Sequence, residues 1–348
     1  MTADVALLSD IVEKFVGEKA TDCRRIGNGH INATFLAVTE SGKYTLQRIN
    51  TGVFSDVEKM MDNIVRVTDH ISKKAFTVRP VKSAEGKYFY EDESGVYRLM
   101  TYAEGELKER TTSPSDMETV GRGFGLFQYY LRDFHEPLYE TIPDFHNTPK
   151  RVERLLSSAK RDSDRRGKAE SVIEEFLSLK ALSEEITSPL FYGKIPARVT
   201  HNDTKINNLV IKDGVPVCAI DLDTVMNGSI LYDFGDALRS GGTTAPEDYP
   251  RSEAVKADEA FYEAFCKGFF SCDLQITENE RKLFPISPAV MAYECGIRFL
   301  TDYLDYDAYF GAQYPEHNLI RAKNQLALVK DVLKKTDIFG RITDGFFR

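Results

Sequence analysis

The chain has 348 residues, of which 42% are hydrophobic and 28% charged, and 45 basic against 54 acidic residues give a formal net charge of −9. That length predicts two domains, or one large one, with a sizeable core, and the composition excludes a disordered or low-complexity chain. The acidic balance argues against nucleic acid as a partner, because such domains carry a basic face; a few local cations and backbone N–H groups still suffice for an anionic substrate.

Leu7, Leu8, Ile11, Val12 and Phe15 recur at helical spacing and predict an amphipathic helix at the start. The N-terminus lacks the basic and apolar regions of a signal peptide, and no apolar run approaches the ~18 residues of a membrane span, so a cytoplasmic protein with no membrane partner is expected. Strands are expected over Ile31–Thr39 and Tyr44–Ile49 around a turn at Glu40–Lys43. A helix follows over Ser55–Lys74, then strands over Lys87–Tyr90 and Val96–Tyr102. From Ala103 onward the pattern turns helical. Ser115 and Glu118 form a capping-box pattern before a helix to Phe134. Further helices are predicted over Pro149–Lys160, Gly167–Glu185, Pro250–Cys272, Glu278–Phe284, Pro288–Leu304 and Pro315–Lys335. Thr277 with Glu280 is a second capping box, and Ser287-Pro288 reads as an N-cap with Pro at the first helical position. Two short strands, Asn208–Ile211 and Val215–Ile220, flank an Asp213-Gly214 turn. The expected fold class is α+β, with residues 1–102 built on an antiparallel sheet and residues 103–348 mainly helical. The cysteines, Cys23, Cys218, Cys266, Cys272 and Cys295, are odd in number and form no Cys-x-x-Cys pair, so neither a disulfide framework nor a thiolate zinc site is expected.

The densest chemical signal is His201-Asn202-Asp203-Thr204-Lys205-Ile206-Asn207-Asn208, followed by the hairpin and Ile220-Asp221-Leu222-Asp223. Antiparallel pairing of the two strands brings Asn208 beside Asp221 at the open end of the hairpin. Mg²⁺ binds through one or two carboxylates plus phosphate oxygens, which suits Asp221 and Asn208 with Asp223 nearby. Asp203 is placed to accept a proton from an attacking hydroxyl. Any one of these residues alone is most simply an Asx turn in a solvated loop; their joint spacing matches a phosphoryl-transfer site. His201 reads as a loop anchor rather than a base, Lys205 as either a phosphate partner or a solvent-facing cation, and Asp233 as a helix cap.

In these residues the chain resembles the aminoglycoside phosphotransferase and choline kinase superfamily, small-molecule relatives of the protein kinases. That superfamily carries a His-x-Asp loop, an Asn five residues after the Asp, and an Ile-Asp metal motif. The chain is also similar to the sugar 1-kinases of the N-acetylhexosamine 1-kinase type, through Gly29–Phe35, Leu46–Asn50, His201–Asn208, Ile220–Met226, Tyr232–Asp236 and Glu294–Leu304. The resemblance implies a two-lobed kinase-like fold, with a nucleotide-binding lobe over 1–102 and a catalytic and substrate-binding lobe over 103–348. It implies ATP and Mg²⁺ as cofactors, and a γ-phosphoryl transfer to the anomeric hydroxyl of a small-molecule sugar. Asp203 becomes the catalytic residue, and Asn208, Asp221 and Asp223 the metal ligands. Gly27 and Gly29 become a glycine-rich loop over the phosphates, lacking the Lys-Ser ending of a P-loop. Arg48 stands in for the phosphate-binding lysine of protein kinases, with Gln47 on the other face of the strand as the alternative. Met100 and Tyr102 form the adenine hinge, Lys205 lies near the transferred phosphate, and Arg298 and Tyr309 contact the sugar. Arg298 has a second reading, an ion pair with Asp302 four residues on. Rival functions are a kinase for choline, ethanolamine, homoserine or an aminoglycoside, and a non-catalytic nucleotide- or sugar-binding protein; the intact Asp203, Asn208 and Asp221 weigh against the last.

Overall fold

The computed structural model describes residues 3–27, 32–161 and 164–347. The chain opens with helix α1 (Ala3–Val16), then strands β1 (Asp22–Arg25), β2 (Ala33–Val38) and β3 (Lys43–Ile49), helix α2 (Val57–Ser72), and strands β4 (Pro80–Val81), β5 (Tyr90–Asp92) and β6 (Gly95–Thr101). All pairings are antiparallel, in the order β1-β2-β3-β6-β4, with β5 added as a hairpin on β6.

Side-chain alternation gives this sheet two distinct faces. Leu46, Tyr97 and Leu99 point to one side and pack with Leu8, Ile11, Val12 and Phe15 of α1. Ile49, Val96 and Met100 point to the other, toward Met60, Met61, Ile64 and Val67 of α2 and the main core. Asp56 starts α2 by accepting the Lys59 backbone N–H at 3.0 Å.

After Thr101 the chain crosses to the helical part, and residue 106 bridges Ile211 through both backbone hydrogen bonds, at 2.7 and 3.0 Å. The helical part holds α3 (Pro114–Leu131), α4 (Thr148–Ala159), α5 (Asp164–Ser178) and α6 (Thr187–Phe191). Short strands β7 (Arg198–Thr200), β8 (Leu209–Lys212), β9 (Val215–Ala219) and β10 (Met226–Gly228) carry the central loops. Helices α7 (Ile230–Gly241), α8 (Glu259–Phe269), α9 (Glu278–Leu283), α10 (Ser287–Leu304) and α11 (His317–Gly345) complete it. Helices α3 and α8 meet at glycines: a Cβ on Gly268 would lie 2.1 Å from the Glu118 carbonyl oxygen. One core runs from Ile49 and Met60 to Phe339, so the sheet part and the helical part share it.

Several boundaries differ from the sequence expectation. The cap of α3 is Ser113, with Pro114 following, because its hydroxyl accepts the Asp116 N–H; Ser115 lies inside the helix. The Thr277–Glu280 capping box is present. Ser287 is already helical and makes no N-cap bond, since its hydroxyl donates back to the Phe284 carbonyl at 2.9 Å. Helix α8 starts at Glu259 rather than Pro250, and the preceding segment is irregular. Helix α11 continues ten residues past Lys335.

Candidate active site

The loop after β7 is held by buried polar bonds. Asn202 adopts φ +65°, a left-handed conformation that needs support from its surroundings. Asp233 supplies it: its carboxylate accepts the N–H of His201 at 3.0 Å and of Asn202 at 2.8 Å, and the Gln128 amide donates to it at 2.7 Å. Asp233 is therefore not the helix cap expected from sequence. Ser229 caps α7, and Asp233, one turn in, clamps the loop. Asp236, a further turn along, accepts the Thr204 N–H at 3.0 Å. His201 is fully buried between Phe124 and Phe127, and its Nε2 donates to the Ile220 carbonyl at 2.9 Å. The imidazole thus ties the Asp203 loop to the residue before Asp221, which makes it an anchor.

Asp203 and Asn208 meet directly. The Asn208 amide donates to the Asp203 carboxylate at 3.0 Å and to its backbone carbonyl at 2.9 Å. Lys205 Nζ lies 2.9 Å from the other Asp203 oxygen. Burial alone would raise the Asp203 pKa, but the neighbouring Lys205, His201 and Arg239 charges hold it below the ordinary carboxylate value. Asp203 contributes chiefly to raising Lys205 above its usual value in return. The Ile220 N–H donates to the Asn208 carbonyl at 2.9 Å, so the hairpin of β8 and β9 does bring Asn208 beside the Asp221 turn. Asp221 sits at φ 59°, ψ 55° and keeps solvent access. Burial by the surrounding chain, with the Asp223 and Asp203 charges, pushes its carboxyl up to about 7.

Those observations test the fit of a magnesium ion. Asp221 is a carboxylate with anionic neighbours, and the Asn208 amide nitrogen is already engaged, leaving its Oδ1 for another partner. This is an oxygen-only donor set with unbalanced negative charge, as Mg²⁺ with phosphate oxygens requires. Among the described residues no cluster of three or more His, Cys, Asp or Glu ligands forms, so phosphate and water would complete the shell.

Asp223 is placed differently. It is buried, its Oδ2 accepts from Asn32 Nδ2 at 2.6 Å, and its Oδ1 pairs with Arg98 Nη1. Both oxygens face the sheet part, so Asp221 and Asn208 are the more open of the three expected metal ligands. Arg48 lies on the outer face of β3. It shares a face with Leu46 and lies against Gly95, where a Cβ would come within 2.6 Å of its Nε; it is exposed there. Gln47 takes the inward face, and its Oε1 accepts from Arg98 Nε at 2.9 Å. Arg98, 2% exposed on β6, is the cation that sequence reasoning missed. It sits in a run of apolar and aromatic residues, and only its register opposite Gln47 shows where it points. Met100 is buried at the end of β6; Tyr102 follows, half-buried, with Lys43 Nζ 5.8 Å from its ring. Gly27 has φ +70°, which favours glycine; Gly29 lies outside the described residues.

On α10, Glu294 receives His146 Nδ1 at 2.8 Å and the Thr148 hydroxyl at 2.7 Å. Against the cost of burial, His146 and Arg298 hold Glu294 below the usual carboxylate range. The other His146 nitrogen lies 3.2 Å from the Asn202 carbonyl, so α10 reaches the catalytic loop through this ring. One turn on, the Arg298 guanidinium lies 5.5, 5.9 and 5.2 Å from the rings of Phe145, Tyr309 and Phe310. It forms no ion pair with a carboxylate among the described residues. Asp302 instead accepts the N–H groups of Tyr309 at 2.7 Å and Phe310 at 2.9 Å, which removes the internal salt bridge as an explanation of Arg298. Tyr309 is 54% exposed. Beside Arg298, Cys295 Sγ lies 4.0 Å from Glu247, and Glu247 holds Arg239 at 2.8 Å and Arg321 at 2.5 Å. Arg239 also pairs with Asp236, closing a chain of contacts from Arg298 back to the Asp203 loop.

The phosphotransferase enzyme family (APH) matches residues 22–270, so the chain belongs to that family. Its fold is shared with spectinomycin phosphotransferase APH(9)-Ia, solved with ADP and spectinomycin: 12% identity, TM-score 0.62, 97% of this chain and 99% of that one covered. It is similarly shared with a microcompartment-associated aminopropanol kinase (13%, 0.62, 97% and 99%) and a Plasmodium vivax ethanolamine kinase (13%, 0.56, 87% and 81%). At these identities the likeness carries the fold. Among the described residues no helix is long and apolar enough to cross a membrane.

Proposed function

We propose that the protein is an ATP- and Mg²⁺-dependent kinase that phosphorylates the anomeric hydroxyl of an N-acetylhexosamine, giving the sugar 1-phosphate. Residues 1–102 bind the nucleotide, through the loop of Gly27 and Gly29 and the hinge at Met100 and Tyr102; residues 103–348 carry the catalytic and acceptor groups. Asp203, held by Lys205 and Asn208, orients the acceptor hydroxyl and takes its proton. Asn208 and Asp221 would hold the metal, which supplies charge neutralisation at the phosphates. Lys205, paired with Asp203, adds a cation at the transferred group. An anomeric hydroxyl is more acidic than an ordinary alcohol, so one carboxylate is an adequate acceptor.

The observation that supports a sugar over an amino alcohol is Arg298. Its guanidinium is ringed by Phe145, Tyr309 and Phe310 and forms no ion pair with a carboxylate among the described residues, so its N–H donors are available to hydroxyl and acetamido oxygens. Glu247, Asp236 and Glu294 are already engaged by Arg239, Arg321 and His146, so none of these three is free to receive an ammonium group. ADP release over a panel of N-acetylhexosamines, ethanolamine, choline, homoserine and aminoglycosides tests this, with ³¹P NMR identifying the product. Turnover confined to the amines or to homoserine would overturn the sugar assignment.

A further inference from the structure

Protein kinases join their sheet to the helix beside it by an ion pair between a lysine of the third strand and a glutamate of that helix. Neither partner occupies its place here. The buried face of α2 carries Met60, Met61, Asn63, Ile64, Val67, Thr68 and Ile71, and Glu58 is exposed in its first turn. The inward residue of β3 is Gln47, which is neutral.

A buried ion pair exists nonetheless, between other elements. Arg98 of β6 pairs with Asp223, two residues beyond Asp221. Three groups fix it in place. Gln47 accepts from Arg98 Nε at 2.9 Å. Asn32, at the base of the glycine-rich segment, donates to Asp223 at 2.6 Å. The Asn32 side-chain oxygen in turn accepts the Asn50 N–H at 2.9 Å, just past β3. Strands β2, β3 and β6 therefore converge on one carboxylate of the helical part, and that carboxylate lies in the tight turn that begins at the left-handed Asp221.

We propose that Arg98 and Asp223, braced by Gln47 and Asn32, form a latch that joins the two parts of the fold and holds the Asp221 turn in its metal-binding geometry. Arg98 is on this view a positioning residue for phosphoryl transfer, acting through Asp223 on Asp221. It rests on the kinase reading above. A buried charge pair is a poor source of net stability but a good source of register, because only one arrangement satisfies both charges. The same latch couples the base of the glycine-rich segment to the metal motif, so nucleotide phosphates and metal would meet a single preformed unit.

The test measures binding of Mn²⁺ with ADP, by electron paramagnetic resonance of free Mn²⁺, in the wild type, Arg98→Met and Arg98→Lys. Electrostatics alone and the latch predict opposite signs. Deleting a cation beside Asp221 and Asp223 should tighten Mn²⁺ if the arginine only contributes charge. Loss of a latch should weaken Mn²⁺–ADP by about tenfold or more in Arg98→Met, with a parallel fall in kcat. Arg98→Lys keeps the charge, and with it the fold if the Met variant fails to fold, but loses the second contact to Gln47; it should be weaker by a few-fold. Mn²⁺–ADP affinity equal to or tighter than wild type in a folded variant overturns the latch. A wild-type chain that binds no Mn²⁺–ADP at all overturns the kinase reading and the latch with it, so the two failures are distinguishable.

Discussion

Replacing Arg298 with alanine removes a cation that, like the neighbouring Arg151, forms no ion pair with a carboxylate among the described residues and that is proposed to meet the acceptor. The guanidinium is half-buried among Phe145, Tyr309 and Phe310, at 5.2 to 5.9 Å from the three rings. Asp302 is held by the Tyr309 and Phe310 N–H groups, and the buried Glu294, which loses the Arg298 charge, keeps its bonds from His146 and Thr148. Its stability cost is then the ring contacts, about 0.5–1 kcal/mol each at sites with solvent access. The effect on the acceptor is larger. A hydrogen bond from a charged donor is worth about 1.5–3 kcal/mol, or roughly tenfold to over a hundredfold in apparent affinity. Steady-state kinetics with each substrate varied should show the sugar KM rising by that factor while the ATP KM stays within about twofold. Arg298→Lys, a single point donor, should fall between the two. A variant with both KM values unchanged and only a lower Tm would refute the acceptor role and reduce Arg298 to packing.

Asp203→Asn should lower turnover by about 10²–10⁴-fold while ADP still binds in calorimetry, because the amide keeps the shape but takes no proton; near wild-type turnover would leave Asp203 a positioning group only. Asp221→Ala should raise the Mg²⁺ concentration for half-maximal rate and depress the maximum, and an unchanged Mg²⁺ titration would remove it as a ligand. Against the cost of burial, Arg239, Arg321 and Lys205 hold the Glu247 carboxyl down at about 2. A depressed acid stabilises the fold above its unfolded value, so Glu247→Gln should lower Tm at pH 7, with the gap to wild type closing as pH falls from about 4.5 toward 2; a pH-independent gap would show the network to be packing rather than charge. His146→Phe keeps the ring beside Tyr232 but loses both hydrogen bonds, and kcat should drop at least about tenfold with the ATP KM unchanged; equal kcat would remove His146 from loop positioning.

The parts of this protein legible in its sequence are those set by local chemistry. The apolar period of α2, the Asp213-Gly214 turn that pairs β8 with β9, and the Thr277–Glu280 box each depend on residues a few positions apart. The Asp203–Asn208 contact belongs with them, since five residues and a short helical turn bring the pair together. What sequence order hides is register between distant segments. Arg48 and Gln47 are neighbours with opposite fates, and the choice follows from which face of the sheet α1 covers, a tertiary fact. Arg98 and Asp223 lie 125 positions apart, and nothing local to either announces the pair. The helical stretch at Asp233 is legible, but its start at Ser229 and the role of Asp233 are not, because nearly every side chain of α7 is buried and Asp233 serves a loop some 30 residues earlier in the chain.

The distribution of charge along the site gives the arrangement its chemical direction. At one end stand Asp221 and the neighbouring Asp203, whose mutual repulsion and partial burial favour a cation between them and incoming phosphates. At the other, Arg239 and Arg321 are paired with Asp236 and Glu247, while Arg298 and the neighbouring Arg151 form no ion pair with a carboxylate among the described residues. Lys205 stands at the boundary, its ammonium on the carboxylate proposed to receive a proton. Under the proposed function, such a gradient would draw the anionic nucleotide with its metal to the Asp221 end and a neutral, oxygen-rich acceptor to the arginine end. Against the cost of burial, Lys205 and His201 hold the Asp203 carboxyl below its ordinary value, as the proposed role of proton acceptor needs. A cationic acceptor would have to displace an arginine from a carboxylate before it could bind, which is the physical ground for proposing a sugar and the point on which the acceptor panel decides.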